Sequence, residues 1–301
     1  MWNLEFSMKL KACLFAFLLL LAGWSVAAER AVIVVEAVQM PAWVEHTGGA
    51  RAPLAIGMRL SNSDRIYTGP GSRALLRLVD GSEIKLGENG ILALADLGTH
   101  KNQLHDVVTA SLDVVKGAFR FTTRALSKLR VQRDIKVRVV TITAGILGTD
   151  LWGKASEARD VVCLIEGDIT VLRGAEAFAM NEPMSFYIAP RGQPGEAVAK
   201  VTQQQLNEWA AETDIASGKG AIRKGGKWRA YLAEVSTQDE ALKIYDALRA
   251  AGYAAEISPL KTDEAMAFRV RISNLMSKAE AELLGTNLKG RFGITEARVS
   301  Q

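Results

Sequence analysis

Apolar and polar positions alternate with a period of two through the middle of the chain, and turn signals divide the alternation into short runs. In Ala74 to Val79, Leu76 and Leu78 fall on one face, with Leu75 and Arg77 on the other. Asp80-Gly81 follows as a hairpin signal, because glycine reaches the positive φ that the favoured two-residue turns require. Glu83-Ile84-Lys85-Leu86 alternates again, Asn89-Gly90 turns the chain, and Ile91 to Ala95 resumes. A second such stretch covers Leu112 to Leu172. There Phe119 and Phe121 flank Arg120, and Val137 to Thr143 is mostly β-branched. Ala144 to Asp150 reads as an interruption, and Glu166-Gly167-Asp168 as a turn. Short runs at intervals of roughly ten residues predict an all-β sandwich, roll or short solenoid from about Ala31 to Arg173.

The period changes after Pro190-Arg191-Gly192-Gln193-Pro194-Gly195. Thr202 to Glu212 reads as a helix, with Thr202 and Gln205 placed for a capping box and Leu206, Trp209 and Ala210 as its apolar stripe. Ser217 to Lys227 is rich in glycine and lysine and is expected to be a flexible linker. Gly220 and Gly225 stand at phosphate-loop spacing. Gly226 occupies the position where that loop needs lysine, and no strand precedes it, which argues against nucleotide binding.

Residues 228–301 contain an internal repeat at an offset of 40. Trp228-Arg229 matches Phe268-Arg269. Thr237 and Glu240 match Ser277 and Glu280, both at capping-box spacing. Ala241, Ile244 and Leu248 match Ala281, Leu284 and Leu288, the spacing of one buried helix face. Strands are expected at Arg229 to Val235, Ala254 to Leu260, Phe268 to Leu275 and Ile294 to Val299. The order β-α-β-β-α-β predicts an α+β, ferredoxin-like C-terminal domain with two helices on one side of the sheet and the other side open for a ligand.

The N-terminus has a different character. Lys9 and Lys11 precede the apolar run Ala12 to Ala22, and Val26-Ala27-Ala28 supplies small residues at a cleavage site. This is the anatomy of a secretory signal peptide, cleaved after Ala28, with an uncleaved anchor as the alternative. Trp24 stands where a lipid-attached form would need cysteine. The expected organisation is therefore a signal peptide at 1–28, a β-rich domain at 29–189, helix and linker at 190–227, and the repeat domain at 228–301. The expected product is a soluble periplasmic protein with no transmembrane span after cleavage.

Composition excludes several classes. The net charge of +4 is too small to imply nucleic acid without a local cluster. One cluster exists: Arg120, Arg124, Lys128, Arg130, Arg133, Lys136 and Arg138, opposed by Asp134. It reads as a solvated strand face plus a loop, with attraction of an anionic envelope polymer as the alternative. Cys13 and Cys163 are the two cysteines. Cys163 lies in an apolar run and is expected to be buried and inert. His46, His100 and His105 have no ligand partners at metal spacing, so no metal or cofactor is expected. No catalytic motif is found, and Asp150, the most tempting acid, fits a structural turn. The expectation is a non-enzymatic protein.

Two resemblances follow from these residues. Ile56-Gly57-Met58, Arg65 to Gly69, Ser72 to Leu78, Asp80-Gly81-Ser82, Lys116 to Arg120, Ile146 to Asp150 and Leu164 to Ile169 resemble, in order, a FecR-type domain spanning about 44–173. Leu147 replaces the arginine usual before Gly-Thr. The resemblance implies an extracytoplasmic β-domain used in sensing or assembly, with envelope proteins as its partners. Trp228 to Val235, Ala241 to Gly252, Phe268 to Ile272 and Ser277 to Leu284 resemble a SPOR domain, the sporulation-related peptidoglycan-binding module. That resemblance implies binding of peptidoglycan glycan strands at the open sheet face, as at a division site. Arg269 matches the family's strand-three arginine, and Arg271, Tyr231, Arg229 and Phe268 complete the expected glycan-binding set. Tyr231 and Glu234 replace the usual first-strand residues, and Ser273-Asn274 replaces a usual Gly-Pro. Two other readings stay open: a protein-interaction adaptor without glycan affinity, and a glycan hydrolase using Asp150.

Overall fold

The structure, a computed structural model, describes residues 33–101, 106–123, 131–261 and 266–301. The expected signal peptide, His105, Arg124, Lys128 and Arg130 lie outside the described residues. Of the described residues 54% are in strands and 14% in helices, so the molecule is β-rich, as the alternation predicts.

Among the described residues fifteen strands precede the first helix: β1 (Ile33–Gln39), β2 (Ala42–Glu45), β3 (Arg51–Pro53), β4 (Arg59–Leu60), β5 (Arg65–Thr68), β6 (Arg73–Leu78), β7 (Glu83–Leu86), β8 (Ile91–Lys101), β9 (Asp106–Thr122), β10 (Val131–Val139), β11 (Ile142–Ala155), β12 (Arg159–Arg173), β13 (Glu176–Met180), β14 (Ser185–Pro190) and β15 (Ala199–Lys200). Helix α1 (Gln203–Thr213) follows, then β16 (Ala221–Arg223), β17 (Trp228–Val235), α2 (Gln238–Ala250), β18 (Glu256–Lys261), β19 (Met266–Leu275), α3 (Lys278–Leu288) and β20 (Arg298–Ser300).

The longest strand organises the first part. The first half of β9 pairs antiparallel with β8 and parallel with β10; its second half pairs with β7 and β11. The change of partners falls at Lys116-Gly117, so the segment Lys116 to Arg120, which resembles a turn of the FecR-type domain, runs inside a strand. Phe119 and Phe121 point into the core and are fully buried, while Arg120 between them faces the other side, as period two requires. Two other sequence expectations change. Ala144 to Asp150 does not interrupt the sheet but runs within β11, and Glu166-Gly167-Asp168 runs within β12. Register shifts between Ile146 and Gly148 and between Asp150 and Leu151 show these to be bulges, which insert a residue without ending the strand. Gly167 has φ +88°, and a Cβ there would sit 2.1 Å from the Gly148 carbonyl oxygen, so only glycine fits.

A second apolar cluster lies on the outer side of β11, β12 and β14. Trp152, Val161 and Cys163 are buried there beneath α1. The Trp152 and Trp209 rings stack with centroids 4.6 Å apart and planes 6° apart, and Phe186 meets Trp209 edge-on. Lys154 to Glu212 (2.7 Å) and Lys85 to Asp214 (2.6 Å) hold the C-terminal end of α1 to the same surface.

In residues 228–301, β17 lies between β19 and β20, and β18 flanks β19, with every neighbouring pair antiparallel. The expected strand at Ile294 to Val299 is shorter and later, at Arg298–Ser300. Ala230, Leu232, Val270 and Ile272 face Ala241, Leu248, Ala281, Leu284 and Leu288, the repeat's two helix faces, and all are buried. Thr237 and Ser277 accept hydrogen bonds from the Glu240 and Glu280 amides at 3.3 and 3.2 Å, as the capping-box spacing predicts.

The segment expected to be a flexible linker is ordered instead. Ala221–Arg223 forms β16, which pairs with β1 on one side and at Ile222 with Leu275 of β19 on the other. Glu280 explains why. Its carboxylate reaches out of α3 and accepts hydrogen bonds from the amides of Gly218 (2.5 Å), Gly220 and Ala221 (3.2 Å). The glycine-rich run does cradle an anion, and that anion is the protein's own side chain. Trp43 makes a second tie: its indole N–H donates to the Ala250 carbonyl at 3.0 Å, and the ring fills the space a side chain at position 252 would need.

Candidate functional site

The face of the C-terminal sheet turned away from α2 and α3 carries four of the five expected residues. Arg229 and Tyr231 come from β17, and Arg269 and Arg271 from β19, at alternate positions that bring them to one side. Register sets Tyr231 opposite Arg271 and Glu234 opposite Arg269, and it places Arg298 of β20 beside Tyr231. Phe268 does not join them. It has the parity of Val270 and Ile272, packs against the core, and belongs to the helix-covered side. Glu234, noted in the sequence only as a departure from the usual first-strand residue, also lies here, and Glu256 and Arg298 are the residues missed by the sequence; strand parity carried the signal for Arg298 once β20 was located.

Carboxylates already engage two of the arginines. Arg269 pairs with Glu234 at 3.0 Å, and its guanidinium lies 4.7 Å from the centre of the Tyr231 ring. Arg271 pairs with Glu256 at 3.0 Å. These are partly exposed pairs and contribute little to stability. Among the described residues no carboxylate pairs with Arg229 or Arg298, so the face keeps a net positive field around one aromatic ring. Tyr231, Glu234 and Arg298 also border a cleft of about 370 Å³ at the edge of the sheet, which Glu296 and Ile244 of α2 line from the other side.

A hydrogen bond from the Ser300 hydroxyl, at 3.4 Å, holds the Tyr231 phenol below its ordinary value; Arg229, Arg269 and Arg271 act in the same direction and burial opposes them. The cationic surroundings favour the phenolate. A phenolate-absorbance titration should therefore show one tyrosine with a midpoint below about 10. Tyr231→Phe should remove that transition, and Arg269→Ala should move it upward.

Comparison with known families addresses the first part of the chain. The family model described as FecR protein matches residues 64–170. The chain carries a FecR domain. No curated protein matches the chain. Two crystal structures of a proposed anti-sigma factor from Parabacteroides distasonis are similar to it at 14% and 13% identity. They cover 63% and 71% of this chain and 75% and 99% of theirs, with a TM-score of 0.38 in each case.

Within the FecR domain the tempting acid has a structural partner. Asp150 accepts two hydrogen bonds from Arg120, at 2.8 and 2.6 Å, and stitches β11 to β9. Arg133 bonds to the buried Asp80, and Arg138 to Asp113, so these members of the basic cluster are matched by carboxylates. Cys163 is fully buried, and that burial, with the Asp150 charge adding to it, pushes its thiol up to about 12. A thiol so far from ionisation is a poor nucleophile. Next to the domain, His46 Nδ1 lies 2.8 Å from Oδ1 of the buried Asp64. Among the described residues no group of acidic, histidine or cysteine side chains could hold a metal ion, and no helix is long and apolar enough to cross a membrane.

Proposed function

We propose that the protein is an exported, non-catalytic envelope component in which the FecR domain serves sensing or assembly and the C-terminal module is a ferredoxin-like, SPOR-like unit that binds peptidoglycan glycan strands. The observation carrying this reading is the helix-free sheet face, where Tyr231 sits among Arg229, Arg269, Arg271 and Arg298. An aromatic ring supplies area for a sugar face, and guanidinium groups donate to hydroxyl, carbonyl and carboxylate oxygens. The duplicated half-unit and the signal-peptide anatomy of residues 1–28 support wall binding in the periplasm.

Co-sedimentation of the full chain with amidase-treated sacculi tests the reading. Retention is expected, with Arg269→Ala and Tyr231→Ala each weakening it by about tenfold, or ~1.4 kcal/mol. Absence of retention, or equal retention of wild type and both variants, rejects the site.

A second reading has its own support. The pairing of Arg269 with Glu234 and of Arg271 with Glu256 pre-neutralises half of the arginines, as suits a protein partner with mixed charges. Cross-linking in cells that traps protein on this face, with no glycan, would favour an adaptor.

A further inference from the structure

Away from the open sheet face, a groove runs between α2 and the loop joining β3 to β4. Its larger section, about 710 Å³, has an apolar lining that includes Ile56, Leu242, Tyr245, Ile257 and Phe268. A smaller section of about 490 Å³ continues past Arg249, which borders both, to Trp43 and Arg51. This explains the position of Phe268: it furnishes the apolar end of the groove and not the glycan face.

The charge on the groove is one-sided. Arg249 stacks on Tyr245 at 5.1 Å, and no carboxylate pairs with it among the described residues. Arg51 shares its guanidinium with Glu45 (2.8 Å) and the Tyr67 ring (4.1 Å) yet stays half exposed. The one carboxylate lining the large section, Glu256, is taken by Arg271 and the Ser273 hydroxyl. An apolar trough whose end carries the unpaired Arg249 and, beyond it, the Glu45-paired but half-exposed Arg51 keeps a net positive charge there and is complementary to an apolar segment that carries negative charge at one end.

The polar lining selects among such ligands. Gln238 and Asn274 border the apolar section. Side-chain amides of this kind satisfy peptide N–H and C=O groups, whereas an acyl chain has none to satisfy. Pro259 sits in the edge strand β18 and removes a backbone donor there, which disfavours simple strand addition. We propose that the groove docks a peptide segment of a partner protein, with apolar side chains seated between Leu242, Ile56 and Phe268 and an acidic group held by Arg249 and Arg51.

The test uses the full chain and two fluorescein-labelled octapeptide pools. Each pool carries Leu, Val, Phe or Met at two alternate positions; one ends in Asp-Glu and the other in Lys-Lys. Fluorescence anisotropy should show the acidic pool binding at least about tenfold more tightly than the basic pool. Arg249→Glu and Leu242→Asp should each cut that binding by a similar factor, Arg249→Lys should retain most of it, and Arg269→Ala should leave it unchanged. Circular dichroism checks that the variants remain folded, and both substituted side chains reach the surface. Equal binding of the two pools, binding unaffected by Arg249→Glu, or no binding of either pool overturns the proposal. So does full competition by dodecanoate, which would make the site one for an acyl chain. A concentration-dependent dimer that Leu242→Asp abolishes would also overturn it, because a second copy would then fill the groove.

Discussion

Replacing Trp152 by alanine should destabilise the protein by about 3–5 kcal/mol, the cost of emptying a large aromatic site. Trp152 is fully buried and is the platform on which Trp209 stacks, so the loss also removes the main apolar contact of α1. An 11-residue helix is marginal without tertiary packing. Urea denaturation should report the lower stability, and amide exchange across Gln203–Thr213 should rise toward the rate of an unprotected segment. Trp152→Phe gives the contrasting result. The indole N–H of Trp152 is buried with no hydrogen-bond partner among the described residues, and phenylalanine keeps an aromatic surface while deleting that donor. Its cost should stay below about 2 kcal/mol. Equal losses for the two variants would contradict the stacking account.

Glu280→Ala should cost about 3 kcal/mol, since charge-assisted bonds disappear and buried amides lose their acceptor. Glu280 is itself buried, and the amides of Gly220 and Ala221 are buried with it. Glu280→Gln keeps one carbonyl oxygen and should cost roughly half as much. The distinguishing readout is local. Amides of Ala221 to Arg223, paired with Ala37 to Gln39, should lose exchange protection in Glu280→Ala before the helices of the C-terminal module do. Protection unchanged at β16 would mean that the pairing with β1 orders the segment without help from the carboxylate.

The sequence made the local chemistry of the strands and helices legible, because strand and helix periods are written in successive side chains. The hairpin at Asp80-Gly81, the alternation at Phe119-Arg120-Phe121 and the helix starts at Thr202, Thr237 and Ser277 all follow from residues within a few positions of one another. Bulges were not legible. Gly148 and Gly167 read as turns in isolation, and only the pairing of β11 with β12 shows that each strand continues. Long-range ties were also hidden. Glu280 was read as half of a capping box, and Ser277 does accept from its amide. Its carboxylate instead serves amides some sixty positions earlier, a contact no local pattern records. At the candidate site, strand parity puts Arg229 with Tyr231 and Arg269 with Arg271 on one side of the sheet. The same parity argues against Phe268, which is one residue from Arg269 and so points to the opposite side.

The three-residue strand β16 has a mechanical consequence. Because it is hydrogen-bonded to β1 and also to β19, the two halves of the molecule share a backbone joint and do not hang from a slack tether. Were the tail to bind a surface as proposed, it would fix the height and heading of the FecR domain above it, like a bracket on a wall. Torque or tension applied at one end reaches the other through backbone hydrogen bonds in register, and lengthening the span between them would require that short strand to unzip first.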